Sequence, residues 1–420
     1  MDAIDSGSSP GSFPAMRWVS ANEIYADGTH NAWPDLCRWR GRYWVAFPAH
    51  AEGHGLPHGL VMLSSADALT WEVVLDITDD RWKIEADETW PAQTVFFLPT
   101  EERLIMVFWS AARGDNSVPA DLETSLRDRW FELGGSEVSW ERWVMRHGAS
   151  NRTRVTYTED GVNWTRPTPL LEPGWWIWRP HTAEGRHYMI GFLNHAQLGW
   201  TITPELESMI PRGDSIAPLD PMRGQGMELF QSASMFLSED GLSWTKVSDI
   251  ASNDDDEPDF NFGPDGRIVA VSRNGAAMKH ATAYVSDPPY SDWRELPLDE
   301  TIHQPAVLFH HGHWIVGGRY FDELTYGPNR FDPEHSLEGR IGTRLWYLDE
   351  ATGVLTEGVT LPGWGDCGQP SILPTPEGDL LVAYYSCSET IDENLPVGGG
   401  RHPGKFSPCS IYLARVAFDT

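Results

Sequence analysis

Residues able to bind anions or move protons cluster at the ends of short apolar runs in this chain. His30, Glu257, His303 and Gln369 stand where one run opens, and Arg179 lies within such a run. His50, His195, Arg273, Arg319 and Tyr385 stand where a second run ends, and His280 and Arg340 open a third. An arginine fork grips both oxygens of a carboxylate, which makes Arg179, Arg273, Arg319 and Arg340 candidate ligand-binding groups. Histidine changes charge near neutral pH and serves as a general base, a role open to His30 and His50. A phenol could share that role, with Tyr188, Tyr157 and Tyr385 as the choices, and Glu257 adds a carboxylate. The run His50-x3-His54-x3-His58 has spacing that suits a metal only on a helix, and Gly53, Gly55 and Pro57 exclude a helix there. No metal ligand set is therefore assigned.

The elements that must hold these groups are short strands. Ser65-Ala-Asp67-Ala-Leu-Thr-Trp71, Thr158-Glu-Asp160-Gly-Val-Asn-Trp164 and Ser238-Glu-Asp240-Gly-Leu-Ser-Trp244 repeat one pattern, and Ser286 to Trp293 is a looser copy. In this pattern the Asp and the hydroxyl bond turn amides while a small residue takes the difficult dihedrals. Six polar turns each lead into an apolar or β-branched run, at Arg42, Arg103, Arg186, Arg267, His313 and Asp379. Each is preceded by one strand-like stretch and followed by another, which predicts an all-β, six-bladed propeller of four-stranded blades, with seven blades as the alternative. The last blade lacks a fourth strand, so Trp18 to Tyr25 is expected to supply it and close the ring. In such blades the starts of first strands, the ends of second strands and the starts of third strands share one face, opposite the Asp turns. The candidate residues above fall on that face. Long insertions at 111–150 (with a helix near Leu122 to Leu133), 198–226 and 322–339 should rim it. His310, His311 and His313 are expected on the Asp-turn face, in solvent.

Composition narrows the partners. The formal charge of −30, from 31 basic and 61 acidic residues, opposes nucleic acid and anionic membranes. There is no apolar run of membrane-spanning length. Residues 1–16 read as a flexible segment before a single domain over 17–420, and no signal peptide is visible, so a soluble chain is expected, its location open between the cytoplasm and export. No cofactor is expected, although a structural metal ion is compatible with the composition, and the chain is expected to be a monomer. Cys387 and Cys409 flank a glycine-rich loop and suit either a disulfide across its base or two buried thiols.

The repeated turns resemble the Asp boxes of the sialidase superfamily, and the likeness extends over nearly the whole chain. Asp256-Glu257-Pro258 followed by Asp265-Gly266 and Arg273 resembles the family's Glu–Pro…Asp–Gly…Arg segment. It implies a catalytic-site role for Glu257 and carboxylate binding for Arg273, with Arg340 or Arg319 as a further member of an arginine triad. Three departures matter. Ala32 stands where the first triad arginine belongs, Gln369 where the tyrosine nucleophile belongs, and His50-Ala-Glu-Gly-His54 where the acid aspartate belongs. A glutamine cannot attack an anomeric carbon as a phenolate does. His30 and His50 resemble instead the histidine pair of the ulvan and rhamnosyl-glucuronate lyase propellers. The expected activity is thus β-elimination on a uronic-acid-containing oligosaccharide or polysaccharide. Arginines would neutralise the carboxylate and a histidine or tyrosine would take the C5 proton. His195, His303, Gln369 and Tyr385 are expected to line the sugar subsite. The alternatives are an exo-glycosidase of sialidase type and a sugar-binding propeller without catalysis.

Overall fold

The computed structural model describes residues 13–50, 57–77, 94–112, 150–172, 175–194, 231–251, 255–274, 280–322, 340–363, 366–387 and 408–419, together with Thr124, Arg127, Asp128 and Phe131. Every described regular element but one is a strand; those last four residues are helical, within the expected helix near Leu122 to Leu133. The remainder of that helix, most of the three long insertions and His195 lie outside the described residues.

Among the described residues the strands form five hydrogen-bonded sheets rather than six separate ones. Four sheets each come from one consecutive stretch, running Thr94–Pro169, Trp175–Ala251, Asp255–Pro297 and His303–Leu361. The fifth has nine strands because two antiparallel units are joined by a single parallel bridge, His30 to Cys409. One of these units holds Cys367–Pro374, Leu380–Cys387 and Cys409–Phe418, completed by the N-terminal strand Met16–Tyr25. That strand pairs from Met16 opposite Phe418 to Tyr25 opposite Ile411, so the two ends of the chain close the ring as expected. Packing begins ahead of residue 17. Phe13 stacks on Tyr347 at 4.6 Å, and the Tyr347 hydroxyl donates to the Pro14 carbonyl at 2.7 Å.

Alternation along each strand sends successive side chains to opposite faces, and both faces are apolar. In Leu380–Cys387, Leu381, Ala383 and Tyr385 pack against Val45, Phe47 and Val61, whereas Leu380, Val382 and Tyr384 pack against Ile315, Leu345 and Val359. Six such apolar interfaces follow one another around the ring, each shared by two neighbouring strand units.

The three repeated turns have the geometry read from their sequence. Asp67, Asp160 and Asp240 each accept two backbone amides at 2.7–2.8 Å through Oδ1 and a Ser or Thr hydroxyl at 3.0 Å. Those bonds hold all three carboxyls below the usual aspartate range, in Asp240 against the opposing effect of burial. Gly161 has φ 81°, and a β-carbon there would come within 2.7 Å of the Trp44 ring, so the small residue is required twice over. His310 and His311 are not simply solvated. Both bond the Gly378 carbonyl, at 2.8 and 2.9 Å, and stitch two neighbouring units together.

Candidate functional site

One local device recurs wherever a first strand opens. The dipeptides Trp33-Pro34, Trp90-Pro91, Arg179-Pro180, Glu257-Pro258, Gln304-Pro305 and Gln369-Pro370 stand once in each strand unit. Four of the five described ones, Trp33, Glu257, Gln304 and Gln369, adopt φ values of 56°, 50°, 54° and 41°, and Arg179 stands apart with an ordinary backbone. The ladder slips at Asp256/Asp259, His303/Ala306 and Gly368/Ser371. A left-handed residue ahead of proline is strained, and the strain persists only because sheet and core over-determine it. The bulge turns the residue out of the strand's alternation and toward the ring's centre.

Around this end of the ring the structure brings two groups together. In the first, Arg273 donates from Nη1 to Glu257 Oε1 at 2.6 Å, and Glu257 Oε2 accepts the Gln304 amide at 3.1 Å. In the second, Arg319 donates from Nη2 to Asp366 Oδ1 at 2.8 Å and to the Tyr385 hydroxyl, and from Nε to the Cys367 carbonyl at 2.5 Å. The Tyr385 hydroxyl lies 3.3 Å from Asp366 Oδ1, and His30 Nε2 lies 3.5 Å from Asp366 Oδ2. A β-carbon at Gly368 would meet Gln304 Oε1 at 2.7 Å and Arg319 Nε at 3.2 Å, so Gln304 and Arg319 adjoin the strand that carries Gln369. His303 is the register partner of Arg319.

Electrostatics follow from enclosure. Burial raises the Tyr385 pKa well above 10; Arg319 pulls it down and Asp366 pushes it back up, so the phenol keeps its proton. Burial works against the Arg319 charge, but Tyr385, Asp366, Cys367 and Glu257 outweigh it and raise its pKa. The Cys367 thiol is pushed up to about 12, chiefly by burial, and is no nucleophile.

His30 and His50 are adjacent as expected. They are register partners on neighbouring strands, with ring centroids 5.9 Å apart. Both are only 1% exposed, however, with His50 edge-on to Trp33 at 5.0 Å and His30 6.1 Å from the Tyr385 ring. They lie buried where the first and last strand units meet. The side chains of Glu257, Arg319 and Arg273 keep 16%, 13% and 9% of their surface, and His303, at 8% as a residue, is the least enclosed of these histidines.

Several expected residues are placed elsewhere. Arg179 does not face the pocket as a free cation. Its Nε donates to Asp35 at 2.8 Å, its Nη1 to Asp259 and the Pro305 carbonyl at 3.4 and 3.3 Å, and its Nη2 to the Pro370 carbonyl at 2.9 Å. Asp35 also accepts the Ser371 hydroxyl at 2.9 Å and the Phe97 amide at 2.8 Å, while Asp259 receives the Val307 amide and His181. Arg179 is therefore an axle joining five of the strand units, and its donors are spent on protein. Tyr188 lies two residues from the Asp-turn end of its sheet, in the apolar cluster with Phe262 and Tyr290, far along the strand from the pocket. Tyr157, beside Thr158, lies under Arg103 at the same end. Arg340, by contrast, opens the strand Arg340–Leu348 as expected, in register with Asp322. Gln369 is fully buried at the predicted slot, and His280 is exposed. Asp366 and Gln304 were not foreseen, though the X-Pro repeat was there to find Gln304. Cys387 and Cys409 stand side by side as thiols, with sulfurs 3.3 Å apart, too long for a disulfide.

No protein-family profile and no curated protein matches this chain. Solved structures do match. A protein of unknown function from Dyadobacter fermentans aligns over 97% of this chain and 100% of its own, at 17% identity and a TM-score of 0.61. Phage phi92 endosialidase aligns over 96% of this chain and 69% of its own, at 12% identity and a TM-score of 0.55. Trypanosoma rangeli sialidase in complex with the inhibitor DANA aligns over 92% of this chain at 11% identity, with a TM-score of 0.53. This chain spans 55% of that sialidase. At these identities the likeness is one of fold, and the chain folds as a sialidase-like β-propeller.

Proposed function

We propose that the axial pocket binds a uronate-type acidic glycan and cleaves it by β-elimination. The observation that carries this reading is the pairing of Arg319 with Tyr385 and Asp366 beside a glutamine, Gln369, at the slot where the sialidase resemblance expects the nucleophile. Arg273 and Arg319 are the cations placed to neutralise a sugar carboxylate, which acidifies the neighbouring C–H. Tyr385, protonated and as enclosed as His30 and His50, orients Arg319 from behind, and the histidine that takes the C5 proton returns it to the leaving oxygen. Enclosure of His30 and His50 passes the base role to His303, opposite Arg319 in register. His30 and His50 then act as positioning residues behind Asp366 and Trp33. On the same reading the nine-stranded sheet is two blades and the ring has six.

A second reading, hydrolysis of sialidase type, is favoured by the Glu257–Arg273 pair and by the similarity to sialidase structures. The test is incubation with a panel of uronic-acid glycans and sialosides, following ultraviolet absorbance of a new conjugated double bond alongside reducing ends. Absorbance supports elimination. Reducing ends without absorbance replace it with hydrolysis, and binding with neither leaves a sugar-binding propeller.

A further inference from the structure

The seam that closes the ring gathers an imidazole, a carboxylate and two thiols, and none of the proposed sugar chemistry needs the thiols. We propose that His30, Asp366 and Cys409 hold a zinc-class divalent cation, with Cys387 beside them as the fourth ligand. His30 Nε2, an Asp366 carboxylate oxygen and Cys409 Sγ all lie within 4.8 Å of one another, and all three residues are buried. His30 and Asp366 approach to 3.5 Å, and Cys387 Sγ lies 3.3 Å from Cys409 Sγ. Tetrahedral zinc with bonds of about 2.0–2.3 Å separates its ligand atoms by roughly 3.3–3.8 Å, a range that holds the His30–Asp366 and Cys387–Cys409 approaches, and the remaining separations would close onto the ion.

The backbone fixes the cluster. His30 is bridged to Cys409 across the seam, and Cys387 is the register partner of Cys409 on the other side. Asp366 directly precedes the strand Cys367–Pro374. Its two oxygens divide their work, Oδ1 receiving Arg319 and facing Tyr385 while Oδ2 faces His30. Outer-shell hydrogen bonds of this kind orient a ligating carboxylate. Charge also balances: two thiolates and one carboxylate around a divalent ion leave one negative charge, and Arg319 carries the compensating positive one. Imidazole, carboxylate and paired thiolates together select a zinc-like ion over calcium or magnesium. The ion would clamp the start of the first unit to both later strands of the last, a task distinct from turnover.

The experiment uses the full chain, purified under reducing conditions, stripped with chelator and titrated with Co²⁺ and Zn²⁺ in the absence of any glycan. A single equivalent of Co²⁺ should give a thiolate-to-cobalt charge-transfer band, displaced by Zn²⁺, and chelation should lower the melting temperature. Cys409→Ser and His30→Gln should each weaken binding at least tenfold, and Cys387→Ser should reduce the charge-transfer intensity. Cys37→Ser, a buried thiol in another interface, should leave the band intact. A reduced wild-type chain with neither stoichiometric cobalt nor zinc overturns the proposal, as does an undiminished band in Cys409→Ser. If that variant does not fold, the wild-type stoichiometry and its chelator-dependent melting decide. Because no sugar is used, this outcome is independent of the glycan reading.

Discussion

Arg179 and Arg319 make an instructive contrast, since both are arginines near the centre of the ring and their donors are shared out differently. Arg179 spends its donors on Asp35, Asp259 and two proline carbonyls. Arg319 also contacts an acid and a carbonyl, but it keeps 13% of its side-chain surface and shares its Nη2 with a phenol. A guanidinium near an axis is thus no guide to binding until its five donors are counted. Substitution should therefore cost stability at Arg179 and activity at Arg319.

The largest effect belongs to the axle. Arg179→Met should destabilise the fold by about 3–5 kcal/mol, because Asp35 and Asp259 would stay buried without their cation. Denaturant unfolding measures this, and a loss under about 1 kcal/mol would deny Arg179 its structural role. Removal of residues 1–25 should be comparably damaging, since it strips the strand that pairs with Cys409–Phe418 and exposes a long edge. Removing only residues 1–12 should leave the melting temperature near that of the full chain.

Pocket variants should invert the pattern. Arg319→Lys retains the charge and loses the fork, so kcat/KM on the responsive glycan should fall more than tenfold with a much smaller stability change than Arg179→Met gives. His303→Ala should cost on the order of 10² in kcat and remove the acid limb of the pH–rate profile, where an imidazole loses its proton. If His50→Ala or His30→Ala, rather than His303→Ala, abolishes that limb, the base lies in the buried pair after all.

The smallest effect concerns the Asp turns. Asp67, Asp160 and Asp240 titrate below ordinary aspartate in the folded chain, so their stabilisation is complete above the unfolded value of about 4 and is lost as pH falls through the folded values. Denaturant midpoints should therefore drop on acidification below about pH 4, and less steeply in Asp160→Ala, which should already melt earlier at neutral pH.

Repetition made the architecture legible. The turn pattern, the six hairpin runs and the missing last strand each reported a local rule, and local rules survive folding. Sheet connectivity was less legible, because one bridge between His30 and Cys409 merges two units into one sheet. Within the site, the adjacency of His30 and His50 followed from strand register, which the sequence encodes. Their depth did not, since it depends on Trp33 and Tyr385 packing against them from other segments. Arg179 was misplaced for a similar reason. It occupies the same pre-proline slot as Glu257, but its long side chain finds four partners in four other units. Asp366 escaped because it stands just before a strand, outside any periodic pattern.

The pre-proline slots carry a consequence for how such a ring changes its trade. Trp33, Glu257, Gln304 and Gln369 share one position and a left-handed backbone but have an indole, a carboxylate and two amides. The bulge and the proline set the backbone there, so the identity of the side chain is largely released from the demands of the sheet. Each of these four units therefore offers the centre one exchangeable tool on a fixed handle. A lineage can pass from nucleophilic substitution to proton abstraction, or to mere adhesion, by swapping tools one at a time while every interface between units stays as it was.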